Sequence, residues 1–542
     1  DTLTAVDTRG LSKRSLENTA DMTPSKVETY AFDYPKGELL TVTLIAENGA
    51  VLLDYTEEMP DYVHIPENRG DIPKPDELKT PTDVFLAGQH LDQYRSPLHK
   101  PDEYYLEDLR RAPDYLPAHK ALGEYYARVC RFDEALTYLD TAYALECRYN
   151  QNPEDGSVNY LRGQCLKNLG RLDDAYDAYR RSAWSNNTIA CAMVQAAAID
   201  GIRGDFELMY NHSGAAMEKE LRHPLASSYA ALAKHKLGDT EEAEKICRNA
   251  LKLDPLNRMA AYVLTYITGE GREAFYSSLC ANPAETCLDI AYDLIDAGCI
   301  SEAVSLLSGV CELKPDYAMV HYALAHCYEL LNKSEMAESE RKLAKKNKIV
   351  EVFPMRAGDM TVLKSALRAD PCDGFAAYLL GCQTYNARRY DDARELFEAA
   401  VKYEPDFYIP YRNLALVYYN HFDKRREAVD LLLEAIRIKP GDSMLLTELS
   451  EVMTGLDVGD RGTALFLEEH KPEKPSDHMI LSIATAFNSA FMFDKAEEVM
   501  RSHVFTPAEG EEYITAVPYM YACLCRGRLA LKKKKYEDFY IY

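Results

Sequence analysis

Positive charge is scarce in this 542-residue chain. It has 62 lysine and arginine residues against 87 aspartate and glutamate residues, which gives a formal net charge of −25. Binding to nucleic-acid phosphates or to anionic lipid needs a positive surface, so this balance argues against both partners. The sequence also lacks an apolar run of membrane-spanning length and a basic, apolar leader at its N-terminal end. We therefore expect a cytoplasmic protein with no nucleic-acid or membrane partner.

Paired cysteines are also missing. The 14 cysteines are scattered singly, and no Cys-x-x-Cys occurs. The one close pair, Cys523 and Cys525, lacks the second pair or the nearby histidines of a zinc site. Single cysteines at apolar helical positions behave as small hydrophobic residues. The sequence predicts no disulfide framework, no metal and no other cofactor.

Catalytic signatures are absent as well. No phosphate-binding loop, His-Glu-x-x-His, Gly-x-Ser-x-Gly or Gly-x-Gly-x-x-Gly occurs, and the 13 histidines are dispersed. Acidic pairs such as Asp173-Asp174 and Glu241-Glu242 stand at the starts of predicted helices, where negative charge is favourable without any catalytic role. We predict no catalytic residue and a non-enzymatic chain.

The N-terminal part has the pattern of β-structure. We predict a loosely ordered lead-in for residues 1 to about 25 and a short strand at Val27–Phe32. Two apolar, β-branched runs, Glu38–Glu47 and Ala50–Tyr55, flank Asn48-Gly49, the typical dipeptide of a type I′ hairpin turn. An isolated hairpin is marginally stable in water, so these strands need a covering surface.

Proline-rich sequence then separates the strands from helical sequence. Residues 1–58 form the predicted β-hairpin segment, and residues 59–81 form a linker because five prolines disfavour helix there. Residues 82–111 hold two leading helices, Thr82–Tyr94 with Thr82 as the N-cap and Asp102–Arg111.

Small residues twelve positions apart organise the rest of the chain. In residues 374–405, Gly381 and Ala393 fall where two antiparallel helices would touch, Phe397 fills the volume beside them, and Pro405 ends the unit. The spacing recurs at Gly123 and Ala135, Gly163 and Ala175, Ala231 and Ala243, Ala291 and Ala303, Ala325 and Ala337, and Ala484 and Ala496. Clear neighbours are separated by 34 residues.

This pattern resembles the tetratricopeptide repeat, a helix–turn–helix unit of about 34 residues. The resemblance implies an all-α fold: an α-α superhelix, or solenoid, with a small N-terminal β-hairpin segment. It assigns residues 112–510 to the repeat array and residues 511–542 to a C-terminal helical cap or a truncated repeat.

A second resemblance covers residues 86–184. It is to a family of long bacterial proteins in which tetratricopeptide repeats follow a galactose-mutarotase-like β-sandwich of unknown function. The resemblance implies that residues 1 to about 60 are the tail of such a domain, which is absent from this chain, and that the protein has a link to carbohydrate. No catalytic residue is carried over.

Partner binding remains as the predicted activity. In tetratricopeptide folds, first-helix positions that do not face the next helix line a concave groove. The candidates here are Tyr322, His326, Tyr378, Tyr385, Asn386, Arg412, Tyr419 and Asn420. Their tyrosines either bridge adjacent helix pairs or join the polar residues in holding an extended peptide or a sugar ring. A carboxylate clamp is not supported, since Lys120 matches one clamp position but Glu124 stands where asparagine is required.

Two hypotheses follow from these patterns. The first is a non-enzymatic scaffold, an acidic α-solenoid whose groove binds a protein, a peptide or its own N-terminal β-domain. The second is the helical accessory region of a carbohydrate-active or sugar-binding protein whose active domain lies outside this chain. The lack of a catalytic constellation favours the first hypothesis for the chain itself.

Overall fold

The structure is a computed structural model that describes residues 2–7, 16–19, 40–46, 48–56, 71–96, 98–279, 282–346, 352–454, 456, 460–506 and 512–533. The chain divides into two compact units, Asp1–Lys74 and Pro75–Tyr542. All described strands belong to the first unit and all described helices to the second.

The first unit contains an antiparallel four-stranded sheet of order β2-β1-β3-β4. Its strands are β1 (Thr2–Asp7), β2 (Leu16–Thr19), β3 (Leu40–Ile45) and β4 (Val51–Thr56). The predicted Asn-Gly hairpin is confirmed: it joins β3 to β4, and Gly49 adopts a φ of +82°. The Ala46 N–H donates to the Ala50 carbonyl at 2.8 Å, which closes the turn.

The prediction of a loosely ordered lead-in is wrong for β1 and β2. Thr2 pairs with Thr19 on one side and with Ile45 on the other, so β1 lies between β2 and β3. Threonine and valine favour pleated structure, and two neighbouring strands supply the partners that a lone segment lacks. The strand predicted at Val27–Phe32 lies outside the described residues.

The second unit begins with a 3₁₀ turn at Pro75–Glu77, followed by 26 described helices. The first thirteen are α1 (Pro81–Gln93), α2 (Pro101–Arg111), α3 (Leu116–Arg128), α4 (Phe132–Glu146), α5 (Ser157–Asn168), α6 (Leu172–Ser182), α7 (Ile189–Arg203), α8 (Phe206–Lys219), α9 (Ala226–Lys236), α10 (Thr240–Leu253), α11 (Arg258–Thr268), α12 (Arg272–Ser278) and α13 (Pro283–Asp296). The others are α14 (Ile300–Leu313), α15 (Ala318–Leu330), α16 (Ser334–Lys346), α17 (Ala357–Ala369), α18 (Gly374–Asn386), α19 (Tyr390–Tyr403), α20 (Tyr408–His421), α21 (Arg425–Ile438), α22 (Ser443–Thr454), α23 (Asp460–His470), α24 (Asp477–Ser489), α25 (Phe493–Arg501) and α26 (Glu512–Lys532). No described helix is both long enough and apolar enough to cross a membrane.

The start of α1 differs from the prediction. Its N-cap is Thr80, not Thr82. Pro81 occupies the first helical position, where an N–H group has no partner within the helix, so the missing N–H of proline costs no hydrogen bond there. The Asp83 N–H donates to Thr80 Oγ1, and the Thr80 N–H donates to Asp83 Oδ2, each at 3.2 Å. This reciprocal capping box fixes the helix start.

Antiparallel helix pairs carry the fold, as the twelve-residue spacing predicts. The spacing predicts seven of these pairs, which are α3–α4, α5–α6, α9–α10, α13–α14, α15–α16, α18–α19 and α24–α25, and α1–α2, α7–α8 and α20–α21 also pack as pairs. A Cβ atom on Gly381 would lie 2.7 Å from the Phe397 ring, and one on Gly163 would lie 2.6 Å from the Tyr179 ring. The small residues therefore set the close approach within each pair.

Helix α17 interrupts the regular order. It packs against α15 and α18, so it separates two helix pairs that would otherwise be neighbours. Its start is held by Asp359, which accepts hydrogen bonds from the Met355 and Arg356 N–H groups and from the Tyr292 hydroxyl of α13. Helix α17 lacks the twelve-residue spacing of small residues and was therefore not predicted from the sequence.

Tyrosine side chains join successive helix pairs. The Tyr229 hydroxyl donates to the Asp293 carbonyl at 2.9 Å, and the Tyr262 hydroxyl donates to the Glu302 carbonyl at 2.6 Å. A buried tyrosine supplies apolar area and also needs a partner for its hydroxyl, which these helix carbonyls provide. Tyr229 and Tyr262 thus serve as links between helices.

Helix pairs far apart in sequence also touch through their turns. Arg388, in the α18–α19 turn, donates to the carbonyls of Ser96 and His99 in the α1–α2 turn. Arg389 donates to the Cys130 carbonyl in the α3–α4 turn at 3.3 Å. Further along, the Lys167 ammonium of α5 lies 3.0 Å from the carboxylate of Asp296 at the end of α13. We refer to these long-range links as the return contacts.

Candidate functional site

Two of the predicted groove residues are buried. Tyr322 is 1% exposed and Tyr378 is 3% exposed. The Tyr322 hydroxyl donates to Asp373 Oδ1 at 3.0 Å, and Asp373 caps α18 by accepting from the Ala376 N–H. The Tyr378 ring packs edge-on against Phe407 with centroids 5.1 Å apart. Of the two roles predicted for the tyrosines, these two have the first: they bridge helix pairs and do not face an open groove.

Arg412 and His326 are half-buried and engaged within the chain. Arg412 on α20 makes a bidentate ion pair with Glu448 on α22, with Nε 2.8 and 3.0 Å from the two carboxylate oxygens. His326 lies beside Glu329, and burial lowers the pKa of its imidazole. Arg412 therefore links α20 to α22, whereas the contact of His326 with Glu329 lies within α15.

The remaining four candidates lie together at the C-terminal ends of α18 and α20. Tyr385 and Tyr419 are half-buried, whereas Asn386 and Asn420 are exposed. The Tyr385 ring lies 5.7 Å from the ring of His421, which places the two helix ends side by side. Each Tyr-Asn dipeptide occupies the same position of its repeat, 34 residues apart. We call these four residues the Tyr-Asn ladder.

Two aromatic neighbours extend the ladder and were missed from sequence. Tyr390, at the start of α19, stacks on His421 with ring centroids 3.5 Å apart, and it also meets Tyr385 edge-on at 5.4 Å. Burial and the nearby Lys100 lower the pKa of His421. The first-helix rule does not include Tyr390, because that residue begins a second helix.

A separate cleft of about 540 Å³ lies between α1 and α3. Phe85 and Tyr105 are among the residues that line it, together with Lys120 and Glu124. The Lys120 ammonium pairs with Asp155 and lies 3.4 Å from the carboxylate of Glu146. Its charge is thus committed within the chain, which agrees with the absence of a carboxylate clamp.

The described residues hold no group of three or more histidine, cysteine, aspartate or glutamate side chains suited to a metal ion. The buried His212 Nδ1 lies 2.6 Å from Asp200, and its Nε2 lies 2.7 Å from an Arg180 nitrogen. Since arginine only donates, His212 Nε2 accepts and Nδ1 donates. Both ring nitrogens are used, so this triad serves as a link between α6, α7 and α8.

Acidic residues at helix starts have the structural role predicted for them. Asp173 and Asp174 lie in the first turn of α6, and Glu241 and Glu242 lie in the first turn of α10. Negative charge there complements the unpaired N–H groups of the helix end. Their position needs no catalytic explanation.

Sequence comparison identifies the repeats. Models of the tetratricopeptide repeat match residues 120–188, 230–255 and 378–443. The first and last of these spans cover parts of the α3–α6 and α18–α21 regions, and the middle span covers α9 and α10. The matched spans therefore coincide with helix pairs that the structure shows.

Several solved structures are similar to this chain. The Naa15/Naa10 complex bound to HypK matches at 13% identity over 85% of this chain and 79% of that chain, with a TM-score of 0.26. The Pseudomonas aeruginosa protein PilF matches at 15% over 44% and 94%, with a TM-score of 0.25. MamA matches at 20% over 39% and 94%, with a TM-score of 0.17.

The TM-scores of these structures lie below 0.5, so the assignment depends on the repeat geometry and on the matched family models. The helix pairs, the twelve-residue spacing of small residues and the three matched spans all agree. The chain contains tetratricopeptide repeats.

Proposed function

We propose that this chain is a non-enzymatic scaffold that binds a protein or peptide partner across the Tyr-Asn ladder. The observation that supports the proposal is the repetition of the same Tyr-Asn dipeptide, with a half-buried tyrosine and an exposed asparagine, at the ends of α18 and α20. The Tyr385 ring lies 5.7 Å from the ring of His421 at the end of α20. In contrast, Tyr322, Tyr378 and Arg412 are engaged inside the chain.

The chemistry of the ladder suits an extended peptide. An asparagine amide both donates and accepts hydrogen bonds, so Asn386 and Asn420 match the two polar groups of a peptide unit. Tyr385 and Tyr419 add partly apolar surface beside each amide.

The net charge of the chain indicates the charge of the partner that it would attract. The chain has a net charge of −25, so a partner with a positively charged surface would be steered toward it at low salt. The free thiols among the described cysteines support a reducing compartment, such as the cytoplasm, as the place of this interaction.

Replacing both asparagines tests the proposal. Peptides that bind the native chain would first be selected from a displayed library of random sequences. Asn386→Ala/Asn420→Ala should weaken their binding at least tenfold, because each lost bidentate contact removes about 1 kcal/mol. Fluorescence anisotropy with the selected peptides measures the change in Kd.

The matched control is Asn211→Ala/Asn249→Ala. These two asparagines are exposed on the second helices α8 and α10 and lie away from the ladder. The control should bind the selected peptides with the native Kd. Equal binding by the ladder variant and the native chain would contradict the proposed site.

A further inference from the structure

A polar cleft of about 780 Å³ lies where distant repeats meet. The α3–α4 turn, helix α17 and the α18–α19 turn form its walls. Its cationic lining residues are Lys100, Arg131, Lys364, Arg368, Arg388 and Arg389. The four acidic lining residues are Asp133, Glu134, Asp391 and Asp392. A cleft with more cationic than acidic lining residues contrasts with the strongly acidic chain.

The cationic side chains of this cleft differ in whether an acidic side chain pairs with them. Arg131 donates to Glu134 and Arg389 donates to Asp392, each through Nε at 2.6 Å. In contrast, Lys364 on α17 has no ion pair or hydrogen bond among the described residues, and neither has Arg368 one turn later. Both side chains are exposed to the cleft.

The surroundings of Lys364 disfavour its positive charge. Burial lowers the pKa of the Lys364 ammonium, and the guanidinium of Arg389 lowers it further. Asp392, the partner of Arg389, offsets part of this effect, but the excess of positive charge in the cleft still leaves repulsion between the cations. An anion in the cleft would remove this repulsion.

Two helix N-termini open onto the same space. The cleft is lined by Arg131, the N-cap of α4, and by Arg389, the N-cap of α19, with the first-turn residues that follow each of them. Neither N-cap side chain accepts a hydrogen bond from its helix. Helix N-termini carry partial positive charge and unpaired N–H groups, which favour anions.

We propose that this cleft binds a small ligand with two or more phosphate groups. Lys364 and Arg368 would supply the uncommitted charges, and Arg388 and Arg389 would lie on the opposite wall. Phosphate fits better than a single carboxylate, because it has a higher charge and more acceptor oxygens for these donors. The volume lies in the range of small-molecule sites, about 300–1,000 Å³.

Such a ligand would connect the parts that the return contacts join. The α3–α4 turn, α17 and the α18–α19 turn all contribute to the cleft, so the bound phosphate would stabilise their association. A ligand that binds only the folded state raises the free energy of unfolding. Binding should therefore raise the Tm of the full chain.

Inorganic pyrophosphate and tripolyphosphate are suitable probes. Isothermal titration should show binding of tripolyphosphate to the full chain, and the Tm should rise with its concentration. Lys364→Ala/Arg368→Ala should weaken this binding at least tenfold and abolish the Tm shift. Lys364→Gln/Arg368→Gln keeps longer side chains on α17 and should give the same loss, which separates lost charge from lost packing.

The matched control is Arg528→Ala/Lys532→Ala. These residues have the same four-residue spacing on the exposed face of α26 and do not line the cleft. The control should bind tripolyphosphate as the native chain does. Equal losses in both double variants would overturn the proposed site, as would the absence of tripolyphosphate binding to the native chain. Binding of a glutamate-rich peptide in place of phosphate, with the same dependence on Lys364, would assign the cleft to acidic peptides instead.

Discussion

Asp108 on α2 has an unusual environment for a carboxylate. It is fully buried, and neither of its carboxylate oxygens has a hydrogen-bond partner among the described residues. Burial raises the pKa of this carboxyl to about 7. In an unfolded chain an aspartate has a pKa of about 4, so folding favours the protonated form of Asp108.

The effect of Asp108 on stability should depend on pH. Because the folded-state pKa is raised, the destabilisation is absent below pH about 4, grows as the pH rises to about 7, and stays constant above that. Asp108→Asn is uncharged throughout, so it should raise the free energy of unfolding by roughly 1–3 kcal/mol at pH 8 and by less at pH 5. Urea denaturation at the two pH values measures the difference.

Asp177→Asn is the control for this prediction. Asp177 is exposed on α6, so its replacement should change the free energy of unfolding equally at pH 5 and pH 8. A gain from Asp108→Asn that is the same at both pH values would contradict the assigned origin of the pKa shift.

At the scale of an element, glycine allows some helices to approach their neighbours more closely than a residue with a Cβ atom would. A Cβ atom at Gly201 on α7 would lie 2.3 Å from the Ala297 carbonyl oxygen in the α13–α14 turn. That oxygen belongs to the backbone and has little freedom to move. Gly214 on α8 is different, since a Cβ atom there would meet nothing within 4 Å.

Alanine should therefore have opposite effects at these two glycines. Gly201→Ala should lower the free energy of unfolding by about 1–3 kcal/mol, because it forces α7 away from the α13–α14 turn. Gly214→Ala should raise it by about 0.5–1 kcal/mol through helix propensity. Thermal denaturation of both variants checks the two signs, and destabilisation by Gly214→Ala would show that the close-approach argument is incomplete.

The helix pairs were predictable from sequence because their small residues report directly on packing. Gly381 and Ala393 mark the closest points of α18 and α19, and the same logic found six more pairs. Helix α17 follows a different pattern, although apolar residues at Met360, Leu363 and Leu367 have helical spacing and could have revealed it. The strands β1 and β2 were missed because their pairing depends on β3, which is distant in sequence.

The candidate site was less predictable than the fold. Repeat position alone placed Tyr322 and Tyr378 in a groove, but their exposure depends on Asp373 and Phe407, which belong to later segments. The residues of the Tyr-Asn ladder remain half-buried or exposed because they lie at helix ends. The resemblance of residues 86–184 to the bacterial family with a β-sandwich domain, and its carbohydrate link, stays a prediction.

At the largest scale, the return contacts organise the helical unit. Arg388 reaches carbonyls nearly 300 residues away in sequence, and charged donors to backbone carbonyls contribute about 1.5–3 kcal/mol. Arg388→Ala/Arg389→Ala should therefore loosen the unit and increase its radius of gyration, while the helical circular dichroism stays unchanged. Small-angle X-ray scattering measures the expansion.

A control pair of arginines lies on α21. Arg426→Ala/Arg437→Ala removes two exposed arginines from this helix, and Arg437 pairs with Glu434 on the same helix. This variant should keep the native radius of gyration. An equal radius for all three proteins would mean that the return contacts do not hold the repeats together.

The return contacts also affect the order in which the repeats should unfold. In a linear array each repeat touches only its neighbours, so the ends fray first and unfolding proceeds like a zipper. The α1–α2 turn instead has a second neighbour in the α18–α19 turn, so its opening breaks two interfaces at once. The helices from α22 onward belong to a separate hydrophobic cluster that begins at Ala415, and the residues of the return contacts lie outside this cluster. Melting should accordingly start at the C-terminal end of the array and run in one direction.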